Sequence, residues 1–235
     1  NNNVYGVTIP GIPGVLIGFN KNIAWGIQPT GIDIKDYLYT KFSSASKDFY
    51  TFNNQVKKTQ KEVTIYSVKG NKNQVDTLIY TDMGVVFWDA SNTKNLDINE
   101  AFVMRWKANA PSEDLKGFLL LNRAENYNAY KKAIAYIQSP ILHISYADIN
   151  NNLGLNLQSS LPYRNAPELG LFLAPGKNME YTWNKIVPSN HLPAILNSPF
   201  HFNFCTSALA FYQGEYPFII NGNFPDPEGR KYYNI

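Results

Sequence analysis

The chain has 235 residues, of which 44% are hydrophobic, 17% charged and 14% aromatic, and its formal net charge is +3. This length suits one large domain or two small ones, and the composition excludes a chain that is mostly disordered. The small net charge does not favour a nucleic-acid partner, and the single cysteine, Cys205, excludes an internal disulfide framework and a multi-cysteine metal cluster. No apolar run approaches the ~18 residues of a membrane-spanning helix, so we expect no transmembrane segment.

The first 110 residues are expected to be mostly β-structure. Apolar and β-branched runs recur there between glycine, proline and asparagine residues, which is typical of short strands joined by turns. Residues 61–68 alternate as a half-buried strand would, and residues 70–73 are the expected turn into the next strand. The close spacing favours antiparallel hairpins over βαβ units. The predicted strands include residues 15–17, 23–26, 63–66, 77–80, 85–88 and 102–106.

Residues 111–139 are predicted to contain two helices. Ser112 is the expected N-cap of the first helix, because two acidic residues follow it, where the helix dipole favours negative charge. The buried face of that helix is expected to hold Leu115, Phe118 and Leu119.

The second helix is expected to begin after Asn126, whose side chain can cap it, and to end at Pro140. Strands are expected again at residues 142–146 and 153–157, before a proline- and asparagine-rich segment over 161–224. The buried side of the second helix is predicted to carry Tyr127, Tyr130, Ile134 and Ile137.

Common catalytic motifs are not apparent in the sequence. The three histidines, His143, His191 and His201, lack metal-ligand spacing, and no G-x-S-x-G motif is present. Residues 170–178 look like a phosphate-binding loop, but they have one residue too many between the glycines, and Asn178 stands where Ser or Thr should hold magnesium. Cys205 has no obvious base near it in sequence, so we expect a small buried hydrophobic residue.

The first forty residues carry a dense set of short motifs. A proline- and glycine-rich turn at 8–14 leads into G-F-N at 18–20, I-A-W-G at 23–26 and then Asp33 and Asp36. The prolines and glycines impose a tight path ahead of a strand. Two aspartates three residues apart on a turn can direct oxygens to one hard cation, with help from the backbone carbonyls between them. Two solvated loop aspartates are the alternative interpretation.

These motifs resemble the penicillin acylase family of N-terminal nucleophile hydrolases. The family pattern is P-G-x-P-G, then G-H-N, I-A-W-G and a D-x-x-D pair, and this chain has each element except the histidine, which is Phe19. The family's T-x-H-G-P-V strand has Met83 and Val85 as departures here, and its Y-A-D-x-x-G-N-I-G segment falls on 146–154. The resemblance continues in order through residues 81–86, 105–108, 126–133, 146–154, 162–164 and 175–176, with Trp183 after them.

The resemblance implies an α+β fold: a β-rich fragment of the four-layer αββα N-terminal-nucleophile hydrolase fold, with antiparallel sheets and a short helical pair near 112–138. It implies one penicillin-acylase-like region over 1–235, mostly β over 1–110, helical over 111–139, and β or irregular over 140–235. The family cleaves the acyl-amide bond of acylated amines, either penicillin-type β-lactams or N-acyl homoserine lactones. We therefore expect an amidohydrolase acting on a small acylated amine, in the periplasm or secreted, although this chain begins with no signal peptide.

The resemblance also implies that a precursor is cut autocatalytically to expose a serine whose own α-amino group acts as the base. Asn1 has no nucleophilic side chain, and both ends of the chain look processed. We therefore expect the nucleophile to lie on remaining segments of the same precursor, which in this family comprise an α subunit and the nucleophile-bearing strand. The chain by itself is expected to be inactive.

Two positions match the family's oxyanion-hole donors, and both depart from the pattern. Pro29, four residues after the tryptophan of I-A-W-G, takes the place of a backbone N–H donor, which a proline cannot supply. Ser207 takes the place of an asparagine side chain, and a shift of register would bring Asn203, Asn221 or Asn223 there instead. Losing one such donor costs on the order of 10²–10³ in rate. An inactive relative that binds a ligand is therefore the alternative.

The family's calcium site is matched more closely. Asp33, Asp36 and the backbone carbonyl of Lys35 fall on calcium ligands, and Pro162 falls on a further carbonyl ligand. The last acidic ligand would be Glu215 or Asp226. We expect a structural calcium ion.

The chain has sixteen tyrosines and four tryptophans, which supports a third hypothesis that does not depend on the resemblance. A β-rich module of this composition could bind a sugar or a peptide on an aromatic face. This hypothesis requires the aromatic side chains to cluster on one exposed surface.

Overall fold

The structure of the chain, a computed structural model, describes residues 3–30, 32–164, 169–183 and 185–197, together with the backbone of 223–225 and 232–234. The chain divides into two compact units. Unit 1 comprises Asn1–Ile34, Ala110–Tyr163 and Lys185–Ile235, and unit 2 comprises Lys35–Asn109 and Arg164–Asn184.

The described elements are mainly short strands. The two α-helices are α1 (Asp114–Leu121) and α2 (Tyr127–Ile134), and neither is long enough to span a membrane. Single 3₁₀ turns lie at Lys107–Asn109, Met179–Tyr181 and Ser189–His191. The strands are β1 (Val4–Val7), β2 (Ile17–Asn20), β3 (Ile23–Pro29), β4 (Lys35–Lys41), β5 (Phe49–Phe52), β6 (Gln55–Lys58), β7 (Gln60–Tyr66), β8 (Gln74–Thr81), β9 (Gly84–Asp89), β10 (Glu100–Trp106), β11 (Leu142–Asp148), β12 (Leu153–Gln158), β13 (Pro162–Tyr163), β14 (Ala174–Pro175), β15 (Lys185–Ile186), β16 (Ala194–Leu196), β17 (Asn223–Pro225) and β18 (Tyr232–Asn234).

Unit 1 is built on a six-stranded antiparallel sheet in the order β1-β2-β3-β11-β12-β16. Its main core joins strand residues such as Trp25 and Tyr146 to helix residues such as Leu121 and Tyr130. Tyr130 is fully buried and donates its hydroxyl to the carbonyl oxygen of Ile144 at 2.7 Å, so the polar end of this large side chain is satisfied inside the core. The two helices therefore cover one face of this sheet. Two short pairs, β13-β15 and β17-β18, complete the described strands of this unit.

The second predicted helix is confirmed, whereas the first differs in detail. Asn126 caps α2 by accepting a hydrogen bond from the N–H of Ala129 at 3.0 Å, and Tyr130 and Ile134 lie on its buried face as predicted. The helix ends at Ile134, well before Pro140, because the next residues form a tight turn that buries Ile137.

The prediction that Ser112 caps α1 was wrong. The capping position is Glu113, without a side-chain cap, and the Ser112 hydroxyl instead donates to the carboxylate of Asp114. That carboxylate also accepts the N–H groups of Gln138 and Ser139, so Asp114 is fixed by the segment after α2. The predicted buried face was also wrong in part: Phe118 is buried, but Leu115 and Leu119 are 51% and 39% exposed. Buried Gly117 and Leu121 lie on the packed side, since the second helix approaches closely at the glycine.

Unit 2 contains a second six-stranded sheet, in the order β14-β4-β10-β9-β8-β7. All its pairs are antiparallel except β14 with β4, and a separate hairpin joins β5 to β6. The core of the unit is a cluster around Leu38, Met83 and Val103, all of which are fully buried. The prediction of antiparallel hairpins is thus confirmed.

The β7-β8 hairpin corrects the prediction of a half-buried strand at residues 61–68. The turn at the predicted place contains Gly70, whose φ of +77° favours glycine. However, most side chains of β7 are exposed on both faces, including Val63 and Ile65 at 59% and 63%. An alternating sequence predicts a strand, but only the packing of neighbouring elements decides whether its apolar face is covered.

The turn between β11 and β12 explains one departure from the family pattern. Asn151 stands where that pattern has glycine, and its φ is +63°, a conformation that asparagine tolerates better than most residues. The Asp148 carboxylate holds this turn by accepting hydrogen bonds from Asn150 N–H, Asn152 N–H and the Tyr146 hydroxyl. This aspartate therefore has a structural role.

Candidate functional site

The motif residues of the first forty positions build the β2-β3 hairpin of unit 1. Trp25 is 3% exposed and donates its indole N–H to the carbonyl oxygen of Leu16 at 2.9 Å. The Asn20 side chain accepts from the N–H groups of Asn22 and Ile23 at 2.8 and 2.9 Å, and donates to the carbonyl oxygen of Ala124 at 2.8 Å. These two side chains hold the hairpin and its neighbour after α1, so the strand that ends at Pro29 has a fixed path.

Phe19 follows Gly18 in this hairpin, at the position where the family pattern has histidine. It is 52% exposed, and its ring lies 5.7 Å from the ring of Tyr5 on β1. A phenylalanine has no proton to transfer, so whatever acid–base role a histidine would have here is absent.

Pro29 is the last residue of β3, and the direction of its missing N–H follows from the ladder with β11. Thr30 donates its N–H to the carbonyl oxygen of Ile141 at 3.3 Å, and Ile149 donates its N–H to the carbonyl oxygen of Asn22 at 3.0 Å. Both pairs have the same register as the ladder, in which Pro29 lies opposite Leu142. Hydrogen-bonded and non-bonded pairs alternate along an antiparallel ladder. The even-numbered residues of β3 therefore bond to β11, whereas Pro29 faces the other edge of the strand.

That other edge of β3 has no partner strand beyond Trp25 among the residues that the structure describes. A proline there removes no ladder hydrogen bond, which is where strands tolerate proline. The position predicted to supply an oxyanion donor thus lies on an open strand edge but carries no N–H.

Two polar side chains of β11, His143 and Ser145, lie on the strand that pairs with the opposite edge of β3. Burial lowers the pKa of His143, which lies opposite Gln28, so the neutral imidazole is favoured. The Ser145 hydroxyl donates to the carbonyl oxygen of Gly26 at 3.2 Å and therefore serves the strand pairing.

The other predicted oxyanion and acidic metal positions fall in the last forty residues of the chain. Ser207, Asn203, Asn221, Glu215 and Asp226 lie outside the described residues. Asn223 belongs to β17, of which only the backbone is described.

In unit 2, the predicted metal ligand Asp36 is the acidic partner of a buried arginine. Asp36 is 3% exposed, and its Oδ1 accepts hydrogen bonds from Nη2 and Nε of Arg164 at 2.6 and 3.0 Å. Charge-assisted hydrogen bonds of this kind are among the stronger ones in proteins. Residues 162–164, Pro-Tyr-Arg, match a P-x-R segment of the family pattern, but the sequence does not indicate that Arg164 contacts Asp36.

A second arginine lies opposite Asp36 on the neighbouring strand. Arg105 pairs in register with Asp36, donates from Nη1 to the carbonyl oxygen of Asp82 at 2.7 Å and stacks over the ring of Trp183 at 4.8 Å. Burial lowers the pKa of Arg105, and the charges of Asp36 and Asp82 oppose that shift. Asp36 thus lies near two arginine side chains, Arg105 and Arg164.

The other predicted calcium ligands are distributed over both units. Lys35 belongs to unit 2, where its ammonium group lies 4.4 Å from the centre of the Trp106 ring. The side chain is thus occupied by this contact, and the predicted ligand is the backbone carbonyl oxygen of the same residue. Asp33 and the buried Pro162 belong to unit 1. Within the described ranges, no three His, Cys, Asp or Glu side chains converge on a common point. The donor types fit calcium, which prefers carboxylate and carbonyl oxygens, but calcium would share Asp36 with Arg164.

The aromatic side chains of the described residues are divided between the surface, where Tyr5 and Trp88 are 74% and 41% exposed, and the cores of the two units. The rings of Tyr127, Tyr130 and Tyr146 lie 4.8 to 5.7 Å apart inside unit 1, and Tyr130 and Tyr146 are fully buried. Tyr50 and Trp183 are likewise buried in unit 2. Many of the aromatic side chains therefore supply core packing.

Comparisons with known proteins agree with the sequence resemblance. The sequence profile of the penicillin amidase family matches residues 1–231. The acyl-homoserine lactone acylase QuiP of Pseudomonas fluorescens strain Pf0-1 is 26% identical over 182 residues, and that of strain Pf-5 is 27% identical over 185 residues; each alignment covers 76% of this chain and 22% of the relative. A thermostable penicillin G acylase from Alcaligenes faecalis has a similar fold, with a TM-score of 0.68 and 24% identity, over 83% of this chain and 34% of that one. The chain thus spans about a fifth of the length of the curated relatives that it matches.

Proposed function

The chain belongs to the penicillin amidase family, and on that premise we propose that it is part of an amidohydrolase that cleaves the acyl-amide bond of acylated amines. The proposed substrates are N-acyl homoserine lactones or penicillin-type β-lactams, since the matched relatives and the similar structure bear those names. The match of the family profile over residues 1–231 is the observation that carries this proposal.

The proposed mechanism is acyl transfer to an N-terminal nucleophile that lies outside these 235 residues, on remaining segments of the same precursor. The acylases matched are several times longer than this chain. The β2-β3 hairpin, fixed by Asn20 and Trp25, would position the strand edge at which the oxyanion forms. The periplasm or the cell exterior is the proposed location.

A ligand-binding relative without catalysis is the second candidate, and Pro29 is the observation that favours it. The backbone nitrogen at this position faces an open strand edge, yet it has no proton to donate to an oxyanion.

Amide hydrolysis by the longer protein is the expected result. The parent protein, expressed with its nucleophile-bearing segment, should release free amine from an N-acyl homoserine lactone or from penicillin G, as measured with an amine-reactive fluorophore. The 235-residue chain assayed alone should give the uncatalysed rate, because the proposed nucleophile lies on another segment of the precursor.

The matched control is the parent protein with its nucleophile replaced by alanine, which should lose the activity. Binding of either compound without turnover would support the inactive relative. Chelator-insensitive hydrolysis by the isolated chain would point to a different active site and contradict the proposal.

We further propose that Asp33, Asp36 and the carbonyl oxygens of Lys35 and Pro162 bind a structural calcium ion. Calcium should raise the melting temperature of the chain by mass action, equivalent to about 2.7 kcal/mol at a hundredfold excess over Kd. Asp33→Asn should abolish this response, since it removes a charged ligand. Asp36 is unsuitable for this test, because removing its charge also disrupts the contact with Arg164.

Asp76→Asn is the matched control, because Asp76 is exposed on the β8 strand of the hairpin in unit 2. It should leave the calcium response unchanged. An Asp33→Asn variant with the same calcium-dependent shift as the unaltered chain would rule out this ligand set.

A further inference from the structure

A cavity of about 260 Å³ lies in unit 1, and none of its lining residues belongs to the open edge of β3 or to the predicted metal ligands. It is bounded by the last turns of α2, by β12 and β16, and by the turn at Ser189–His191. A small organic molecule fits such a volume, and most ligand cavities combine apolar walls with a few polar groups.

Two buried carboxamides on β12 line the cavity. Asn156 and Gln158 are 4% and 5% exposed and lie two residues apart, so they point to the same face of the strand. Among the described residues, Asn156 uses Oδ1 to accept from the Tyr127 hydroxyl at 3.4 Å, and Gln158 uses Nε2 to donate to the carbonyl oxygen of Ile137 at 3.1 Å. These bonds leave the amide protons of Asn156 and Oε1 of Gln158 for a molecule in the cavity. Neither atom is among the fully enclosed, unpartnered polar atoms of the described residues, so both are accessible to a molecule in the cavity.

The charge at the cavity is positive. Lys131 and Lys132 line it from α2, and no acidic side chain is among its described lining residues. Neither lysine forms an ion pair with a described residue. The lining also includes apolar residues, such as Ile134 on α2 and Leu192.

We propose that this cavity binds a small organic anion that carries an amide group. The carboxylate lies against Lys131 and Lys132, the amide exchanges hydrogen bonds with Asn156 and Gln158, and an apolar substituent packs on Leu192. The two lysines attract negative charge, and the two carboxamides offer a hydrogen-bond donor and an acceptor, which complement the carbonyl oxygen and the N–H of an amide. This site is independent of the proposed hydrolase activity, because none of the predicted catalytic or metal positions lines it.

N-acetylglycine is the probe for this site. Acetate, which has only the carboxylate, and N-methylacetamide, which has only the amide, are the comparison ligands. Titration into the ¹⁵N-labelled chain, followed by two-dimensional NMR, should shift the resonances of Asn156 and Gln158 with a Kd on the order of 1 mM, typical of so small a ligand. Acetate and N-methylacetamide should each bind at least about tenfold more weakly, since each makes only part of the contacts.

Two variants separate the contributions of the amides and the lysines. Gln158→Met keeps the side-chain volume and should weaken N-acetylglycine about tenfold. The double variant Lys131→Gln, Lys132→Gln should weaken it about threefold and remove the salt dependence of binding, while leaving N-methylacetamide unaffected. Lys116→Gln on α1 is the control and should change nothing.

Equal binding of acetate and N-acetylglycine would overturn the proposal, as would no shift at Asn156 or Gln158 up to about 20 mM ligand. Should Gln158→Met fail to fold, the surface double variant decides the outcome. Unchanged affinity in that variant contradicts the assignment of the carboxylate to the two lysines.

Discussion

Replacing Arg164 by methionine is expected to lower the free energy of unfolding of the chain by about 3–5 kcal/mol. The side chains of Arg164 and Asp36 are 1% and 4% exposed, and the closest nitrogen–oxygen distance between them is 2.6 Å. Removing the guanidinium leaves a buried carboxylate without its strongest partner, and the cost of that desolvated charge exceeds the cost of the lost methylene packing. Chemical denaturation followed by circular dichroism measures the change.

The control for this experiment is an exposed ion pair. Lys116 and Glu113 are 2.8 Å apart with side chains 49% and 58% exposed, so Lys116→Met should cost less than about 1 kcal/mol. The double variant Asp36→Asn, Arg164→Met should lose less stability than the sum of the two single variants, because both single changes remove the same interaction. A loss under about 1 kcal/mol for Arg164→Met would show that the pair contributes little to folding.

Replacing Pro29 by alanine in the active parent protein is expected to raise kcat by about 10²–10³, with KM changing less. The substitution restores an N–H at a position that faces the open edge of β3, where the oxyanion is proposed to form. A donor that acts on the developing oxyanion stabilises the transition state more than the bound substrate, which is why kcat should respond most. The register with β11 is undisturbed, because Pro29 faces Leu142 in a pair without ladder hydrogen bonds.

Gln28→Ala is the matched control, since residue 28 points its backbone groups toward β11. It should leave kcat within a few-fold of the unaltered protein. A Pro29→Ala enzyme with unchanged kcat would mean that the oxyanion is held elsewhere. The positions to vary next would then be Ser207, Asn203, Asn221 and Asn223.

Local chemistry in the sequence determined much of the fold. Glycine-rich and asparagine-rich turns between β-branched runs placed the antiparallel strands, because turn residues restrict the backbone over only a few positions. The cap at Asn126 and the buried side of α2 also follow from local pattern, since a helix repeats its faces within two turns. The order of the short motifs along the chain is by itself enough to indicate the family.

The tertiary structure decided what distant residues do together. Arg164 and Asp36 are 128 positions apart, and no periodicity or spacing could pair them. The open edge at Pro29 depends on how far β2 extends along β3, and the exposure of the β7-β8 hairpin and of Leu115 depends on which elements pack against them. The cavity beneath α2 likewise brings together α2, β12 and the turn at Ser189–His191. The chemistry of a side chain sets which interactions it can make. Its burial and its partners depend on the packing of segments that are distant in sequence, so a local sequence pattern does not predict them.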